Sequence, residues 1–508
     1  MYKRYRLPAY CIFLIVTSGC YLNKAIVQPW TEDFCPSSPS DYWTPSEKAK
    51  TIHTSVPLPL ALPSTDQPLN LGTVMDIALS NNTTTQISWS KARQAAALYG
   101  QSQSPSLPSL IGMYEFFRTR AASFTTSNLA GGSTTGADTG SSAGSASLGT
   151  SGNQVFVELF NQFGPQFTLR YTLFDFGKNS ATAHAAQQAL YFADYNHNRQ
   201  IQTVINQVTT DYYTTLYEQQ LLQADKENVQ TALMTLDAAE VAFQSGTQNL
   251  SDLLQAKTEL LQFQISLALQ KQQVVASTSK LLTDMGLPAS LPIALEHVAD
   301  INPEQQELPS LEELVAVGMQ SRPDFLGAGA DLRSKELSFK AAKRQILPNL
   351  VYNLDFGKTY FSGGVNDKYD YTSYFNLSMP LFQGYNQRNN MKVAESNRDL
   401  SETQLKTVEL QLVQEVTNAR NNVQVAFDAL RYSKEYLASA QKQYEISMAE
   451  YKRGTADILS VVSAQSSLAD ARAKLAQNTQ GWFTALANLT FSIGGAASPP
   501  ASIIEEFQ

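Results

Sequence analysis

Histidine, cysteine and charge are all scarce in this chain: 508 residues carry four His, three Cys and a charged fraction of only 16%. So few ligating and nucleophilic side chains leave little from which to build a metal centre or a covalent catalytic site. His184 and His197 stand thirteen apart on one helical pattern, a spacing that does not share a face, and they read as surface or packing residues. The nine Met are dispersed and suggest no copper relay. The run Asp211-Tyr-Tyr-Thr-Thr-Leu-Tyr217 reads as packing of helix on helix, not as a stacking platform. No convergent set of titratable groups points to an enzyme, and none calls for a cofactor. The net charge of −8, with basic residues scattered, gives no footprint for nucleic acid.

Long apolar runs are missing as well. Beyond the N-terminus none approaches the ~20 residues of a membrane helix. Entry into a membrane would therefore need a closed β-barrel, since an open sheet leaves backbone groups unpaired in lipid. The N-terminus itself reads as an export signal, with Lys3, Arg4 and Arg6 followed by a short apolar segment from Tyr10 to Val16. Thr17-Ser-Gly-Cys20 then resembles a bacterial lipobox, with Thr17 where Leu is usual. Two readings stand. Either Cys20 is acylated, palmitate included, and becomes the first mature residue, or cleavage is ordinary and Cys20 is free or paired with Cys35. Tyr21 follows the cysteine; by resemblance to known lipoproteins, the lack of Asp there directs the product to the outer membrane.

What the chain does have, it has twice. Leu71-Gly-Thr-Val matches Leu311-Glu-Glu-Leu, and Leu107-Pro-Ser-Leu matches Leu347-Pro-Asn-Leu, both 240 residues on. Phe167-Thr-Leu-Arg-Tyr-Thr-Leu-Phe174 matches Phe375-Asn-Leu-Ser-Met-Pro-Leu-Phe382 at a shift of 208, as do Phe243 to Thr247 with Tyr451 to Thr455, and Ala256 to Leu260 with Ala464 to Leu468. The shift falls by 32, mostly because a Gly/Ser/Thr-rich run from about Ser127 to Gly152 is inserted in the first copy. Such a run buries too little apolar area to fold and reads as a flexible surface loop. A repeat this long is half an architecture used twice, not a solenoid unit.

Each half carries the same patterns in the same order. A helical stretch (Leu71 to Ser102; Leu311 to Gln345) ends at Leu-Pro, where a helix cannot continue. Two alternating segments follow. Leu350, Tyr352, Leu354 and Phe356 face one way and Val351, Asn353 and Asp355 the other; Phe375, Leu377, Met379 and Leu381 oppose Asn376 and Ser378. In the first half Tyr114 and Phe116 lead to Phe167, Leu169, Tyr171 and Leu173 set against Thr168, Arg170 and Thr172. Period-two alternation marks half-buried strands, in a soluble sandwich edge or in a barrel with lipid outside and a wet lumen inside. Asn179 to Gln244 and Gln387 to Glu450 then run almost without Gly or Pro, each predicting a helix on the order of 100 Å long. Both stop at Gly-Thr (Gly246-Thr247, Gly454-Thr455), and helices return over Leu250 to Met285 and Ile458 to Phe491. Four strands cannot close a lumen, because transmembrane barrels need at least eight. The chain must associate, and three copies supply twelve strands.

Taken together and in order, these features resemble the TolC-type outer-membrane efflux proteins, in their lipoprotein branch, over about Leu69 to Gly495. The carriers are the duplication, Ala78-Leu-Ser-Asn-Asn82 with Met319-Gln-Ser-Arg-Pro-Asp324, the two Leu-Pro-x-Leu segments, and Leu173-Phe-Asp-Phe-Gly177 with Pro380-Leu-Phe-Gln-Gly384. They include the tip motifs Gly246-Thr-x-x-x-x-Asp-Leu-Leu-x-Ala256 and Gly454-Thr-x-x-x-x-x-Val-Val-x-Ala464. The resemblance implies a membrane β-barrel in series with a long α-helical coiled-coil barrel, twelve-stranded in a homotrimer, that crosses the periplasm. It implies a passive exit duct serving a periplasmic adaptor (membrane fusion) protein and an inner-membrane transporter of the RND, ABC or MFS type. Outer-membrane lipid surrounds the barrel, and no nucleic acid is involved. On this reading residues 1–19 are a signal, 20–68 a lipidated extended segment, 69–290 the first repeat with its extracellular loop at about 126–153, 291–308 a linker, 309–495 the second repeat and 496–508 a tail.

The Gly-Thr tips would form the periplasmic opening and the adaptor-docking rim. Asp252 would line the mouth with Ser460 and Ser463, which stand where the family commonly has Asp. A duct for protein secretion, of the type I class, fits the same features. A non-conducting coiled-coil scaffold lipoprotein is the competitor from another class, though four amphipathic strands would then have no use.

Overall fold

The computed structural model describes residues 68–125, 154–246, 248–296, 308–361 and 368–495. Cys20, Cys35, the Gly/Ser-rich run, Thr247, most of the linker and the C-terminal tail lie outside them. The first half runs α1 (Leu71–Asn81), α2 (Thr83–Gln103), β1 (Ser109–Thr125), β2 (Gln154–Phe174), α3 (Lys178–Gln244) and α4 (Leu250–Asp284). The second half repeats that order as α5 (Leu311–Ser321), α6 (Pro323–Arg344), β3 (Asn349–Phe361), β4 (Lys368–Ser378), α7 (Asn386–Lys452) and α8 (Ile458–Ser492).

The duplication holds to the residue in the helical arms. α3 and α7 are each 67 residues, and α4 and α8 are each 35. Their rise of 1.5 Å per residue makes the long pair ~100 Å. Sequence and structure part at the first helix of each half, expected as one and found as two. The break at Asn82 is made by its side chain, which accepts from the Thr84 N–H at 2.7 Å and starts a new helix. At Arg322 the following Pro323 pushes the preceding residue out of the helical region, to ψ 118°. Asn82 and Arg322 are repeat equivalents, so both halves bend at the same joint.

The four strands form one antiparallel sheet in the order β1-β2-β3-β4. Register puts the expected faces together: Phe167 opposes Phe356, Leu169 opposes Leu354, Tyr171 opposes Tyr352, and Tyr352 opposes Phe375. The apolar face carries stacked rings, Phe116 on Phe163 on Tyr360 and Phe167 on Phe356. Such cross-strand pairs add stability to a sheet. The other face is polar: Thr168 donates to Asp355 at 2.7 Å, and Thr359 to Asp370 at 3.2 Å. β1 and β4 are the sheet's two edges. Among the described residues no helix is long and apolar enough to cross a membrane.

Below the sheet, α3 packs against α4 and α2 of its own half and against α6 and α8 of the other. Small residues permit this close approach; Ala239, Ala256, Ala440, Ala464 and Ala471 are all buried in the cluster near the arm ends. A second cluster, with Leu412, Val416, Phe427, Trp482 and Leu489, ties α7 and α8 to the joint through Leu314.

Candidate functional site

The arm ends are where the sequence placed its candidates. Gly246 and Gly454 both take the left-handed conformation, φ 71° and 75°, just past their helices. At Gly454 the turn is a full Schellman motif. Its N–H donates to the Tyr451 carbonyl at 2.9 Å, and the Thr455 N–H donates to the Glu450 carbonyl at 3.0 Å. The Thr455 hydroxyl donates to the same Glu450 oxygen. The chain reverses at once into the return helix, whose first turn needs a cap. Asn249 accepts from the Asp252 N–H at 3.1 Å, and its repeat equivalent Asp457 accepts from the Ser460 N–H at 3.0 Å.

This geometry assigns the candidates unequal parts. Ser460 spends its hydroxyl on Asp457 at 2.5 Å, so it completes a cap. Ser463 is exposed and its carbonyl accepts from the Ser467 hydroxyl. Asp252 is half-buried beside Tyr451. Burial first, and then the charge of Asp252, push the Tyr451 phenol above its ordinary value. Among the described residues the buried Tyr451 hydroxyl has no hydrogen-bond partner. Sequence reasoning missed Asp457, the carboxylate of the second tip. The hydrogen bonds from Ser460 hold it below the usual carboxylate range. Its signal was present, an Asp directly before a helical run.

The joint is the other site that the sequence did not disclose. Arg322 is 1% exposed, donates to Asp324 at 2.5 Å and to Glu415 at 2.6 Å, and reaches the Ser492 carbonyl. Burial alone would raise Asp324, but bonds from Arg322 and the charge of Arg199 hold its carboxyl down. In the first half the same region holds Asp211, buried and paired with Lys280, whose ammonium also lies 3.6 Å from Asp284. Gln207 donates to both oxygens of Asp211. The aromatic run is packing: Tyr213 stacks on Phe483 with ring centres 4.4 Å apart. His197 bonds to Ser88 at 2.8 Å and so ties α2 to α3, while His184 is exposed beside Gln187.

With this architecture in view, comparison with known proteins is informative. The sequence profile described as "Outer membrane efflux protein" matches residues 74–287 and 318–495. Nodulation protein T of Rhizobium leguminosarum bv. trifolii is 24% identical over 340 residues, covering 65% of this chain and 71% of that protein. The toluene efflux pump outer membrane protein TtgI of Pseudomonas putida is 22% identical over 451 residues, or 84% and 85% of the two chains. Among solved structures, the Campylobacter jejuni CmeC outer membrane channel shares the fold with a TM-score of 0.71 at 18% identity, over 86% of this chain and 88% of CmeC.

Proposed function

Because this chain belongs to the outer membrane efflux protein family, we propose that three copies close one twelve-stranded barrel whose lumen continues into a helical tube. The chain is an outer-membrane channel protein, not an enzyme. It reaches into the periplasm as the exit duct of an efflux system. The observation that carries the trimer is the sheet: four strands, apolar on one face and polar on the other, with β1 and β4 as edges. An edge left unpaired in lipid is costly, and four strands are half of the smallest barrel.

The repeat supplies a template for the contact between copies. Within the chain, Gly327 of α6 lies against Phe192 of α3, where an added Cβ would stand 3.4 Å from the ring. The same shifts lead from Gly327 to Ile87 and from Phe192 to Leu400. These two side chains are 54% and 55% exposed. Ile87 of one copy should therefore meet Leu400 of the next. We expect Ile87→Cys with Leu400→Cys to cross-link into a covalent trimer on oxidation, and neither single variant to do so. A monomer after detergent extraction, with no cross-link, would sink the duct.

Family members act with periplasmic adaptors and inner-membrane pumps in tripartite systems. For this chain the docking rim is assigned to Gly246, Thr247, Gly454 and Thr455, with an RND, ABC or MFS pump beyond the adaptor. Co-purification of an adaptor that is lost in Gly454→Val would support it. Asp252 lines the mouth with Ser460 and Ser463. Three like charges in one ring favour cations, so Asp252→Asn should weaken cation preference in bilayer recordings. Unchanged selectivity would place this carboxylate outside the lumen. Cys20 is the acylation site; fatty-acid label retained in Cys20→Ala would refute it. One relative is named for toluene efflux, and a small-molecule cargo is the class carried over here.

A further inference from the structure

Where the sheet meets the helical arms, a cavity of about 700 Å³ opens on the polar side of the strands. Four ionisable side chains line it: Arg170, Asp175, Lys178 and Arg344. The three cations come from three elements, and each is placed by a separate constraint. Arg170 lies on the polar face of β2, opposite Ser109 and Asn353. Lys178 is the first residue of α3, and Arg344 the last of α6.

Cations outnumber carboxylates in this lining by three to one. Asp175, the single carboxylate, is already engaged: its two oxygens accept from the Gly177 and Asn179 N–H groups at 2.9 and 2.6 Å, closing the start of α3. Arg344 donates to a neutral acceptor, the Gly177 carbonyl, at 2.8 Å. Gly177 sits at φ 76°, and a Cβ there would stand 2.8 Å from the guanidinium. Among the described residues no carboxylate pairs with Arg170 or Lys178.

Repeat symmetry shows that this charge does not come with the architecture. The equivalents of Arg170, Lys178, Asp175 and Arg344 are Ser378, Asn386, Gln383 and Ser104, all neutral. The repeat-equivalent positions do without charge, and Ser104, Ser378 and Gln383 line the same cavity, yet Arg170 and Lys178 of the first half and Arg344 of the second are all cationic. We propose that the junction cavity is a binding site for small anionic solutes, bearing carboxylate or phosphate groups, at the passage from helical tube to barrel. This rests on the duct reading, which sets the polar face toward the lumen and brings three such cavities to one level. The cations would then form a collar that concentrates anions in the passage.

Trisodium citrate is the probe. In planar bilayers, wild-type channels should be blocked by citrate, with the block deepest at low salt. Arg170→Gln with Lys178→Gln should weaken the block about tenfold or more, as two of three cations per copy are lost. Arg170→Lys alone should keep most of it. Normal conductance with no citrate block, or with equal block in the double variant, overturns the anion site alone. Failure of the wild-type protein to conduct overturns the duct reading, and the anion site falls with it.

Discussion

Asp284 shows how far one residue can depart from its repeat. Burial, then its bond and charge with Asp211, push its carboxyl up to about 6, against the pull of Lys280. A carboxyl raised in the folded state binds its proton more tightly there than when unfolded. Its stabilising contribution is thus complete below about pH 4 and lost as pH rises through 6. Asp284→Asn mimics the protonated acid at every pH. The melting temperature of Asp284→Asn relative to wild type should therefore climb between pH 4.5 and 7; a flat difference would mean that Asp284 ionises freely. At the joint of the second half, Asp324 behaves oppositely. Held down by Arg322, it favours the fold above its unfolded value and weakens it in acid. The sequence hid this cluster because its members, Asp211, Lys280 and Asp284, are far apart in the chain. The repeat equivalents of the first two are Ala419 and Asn488, so the duplication offers no echo.

At the scale of elements, four left-handed glycines close the helical arms, and they divide into two kinds. Gly246 and Gly454 have open space where a Cβ would go. Substitution by Ala there should cost only the backbone strain, about 1 kcal/mol. Gly286 and Gly494 end the return helices against the joint, and a Cβ would stand 2.5 Å from the Asn81 carbonyl oxygen or 2.8 Å from the Arg322 backbone. Gly286→Ala and Gly494→Ala should each lose about 2 kcal/mol or more, since strain and overlap act together. Chemical denaturation of the four variants checks the ranking; equal losses would contradict it. The arms themselves were legible in the sequence, their ends falling within two residues of expectation. Periodicity runs unbroken there, and Gly-Thr stops it. The joint was not legible at Asn82, since an Asn inside a polar helical stretch gives no audible stop, although Arg322-Pro323 did give one. Strand faces were legible because alternation is a local property. The cap at Asp457 was readable, but the expectation of a carboxylate further along drew attention to Ser460 and Ser463. The cations at the sheet–helix junction come from two stretches, Arg170 with Lys178 and the distant Arg344, and only the fold brings them together.

On the scale of the whole molecule, the dominant fact is the equal length of paired arms, 67 with 67 and 35 with 35 residues. Nothing in local chemistry demands that match; a helix tolerates the loss of two turns within itself. What it does set is an equal reach for the tips of the two repeats. Removing seven residues from α3 and seven from α4, at positions facing each other, would draw one tip back by ~10 Å. We expect such a chain to assemble through its sheet and yet fail in efflux, while matched deletions in α7 and α8 restore function in a shorter tube. Rescue by the unmatched deletion alone would show that tip height is unimportant. The consequence reaches into descent. Once the ancestral unit had doubled, neither half was free to change its span by itself, because any single deletion leaves an uneven rim. Growth was open only where it leaves both arms alone, and the 32-residue surplus of the first half falls within its β1–β2 hairpin, in longer strands and a longer connection. The length of the arms is thus inherited as a pair, a measure that two stretches of gene must keep in common.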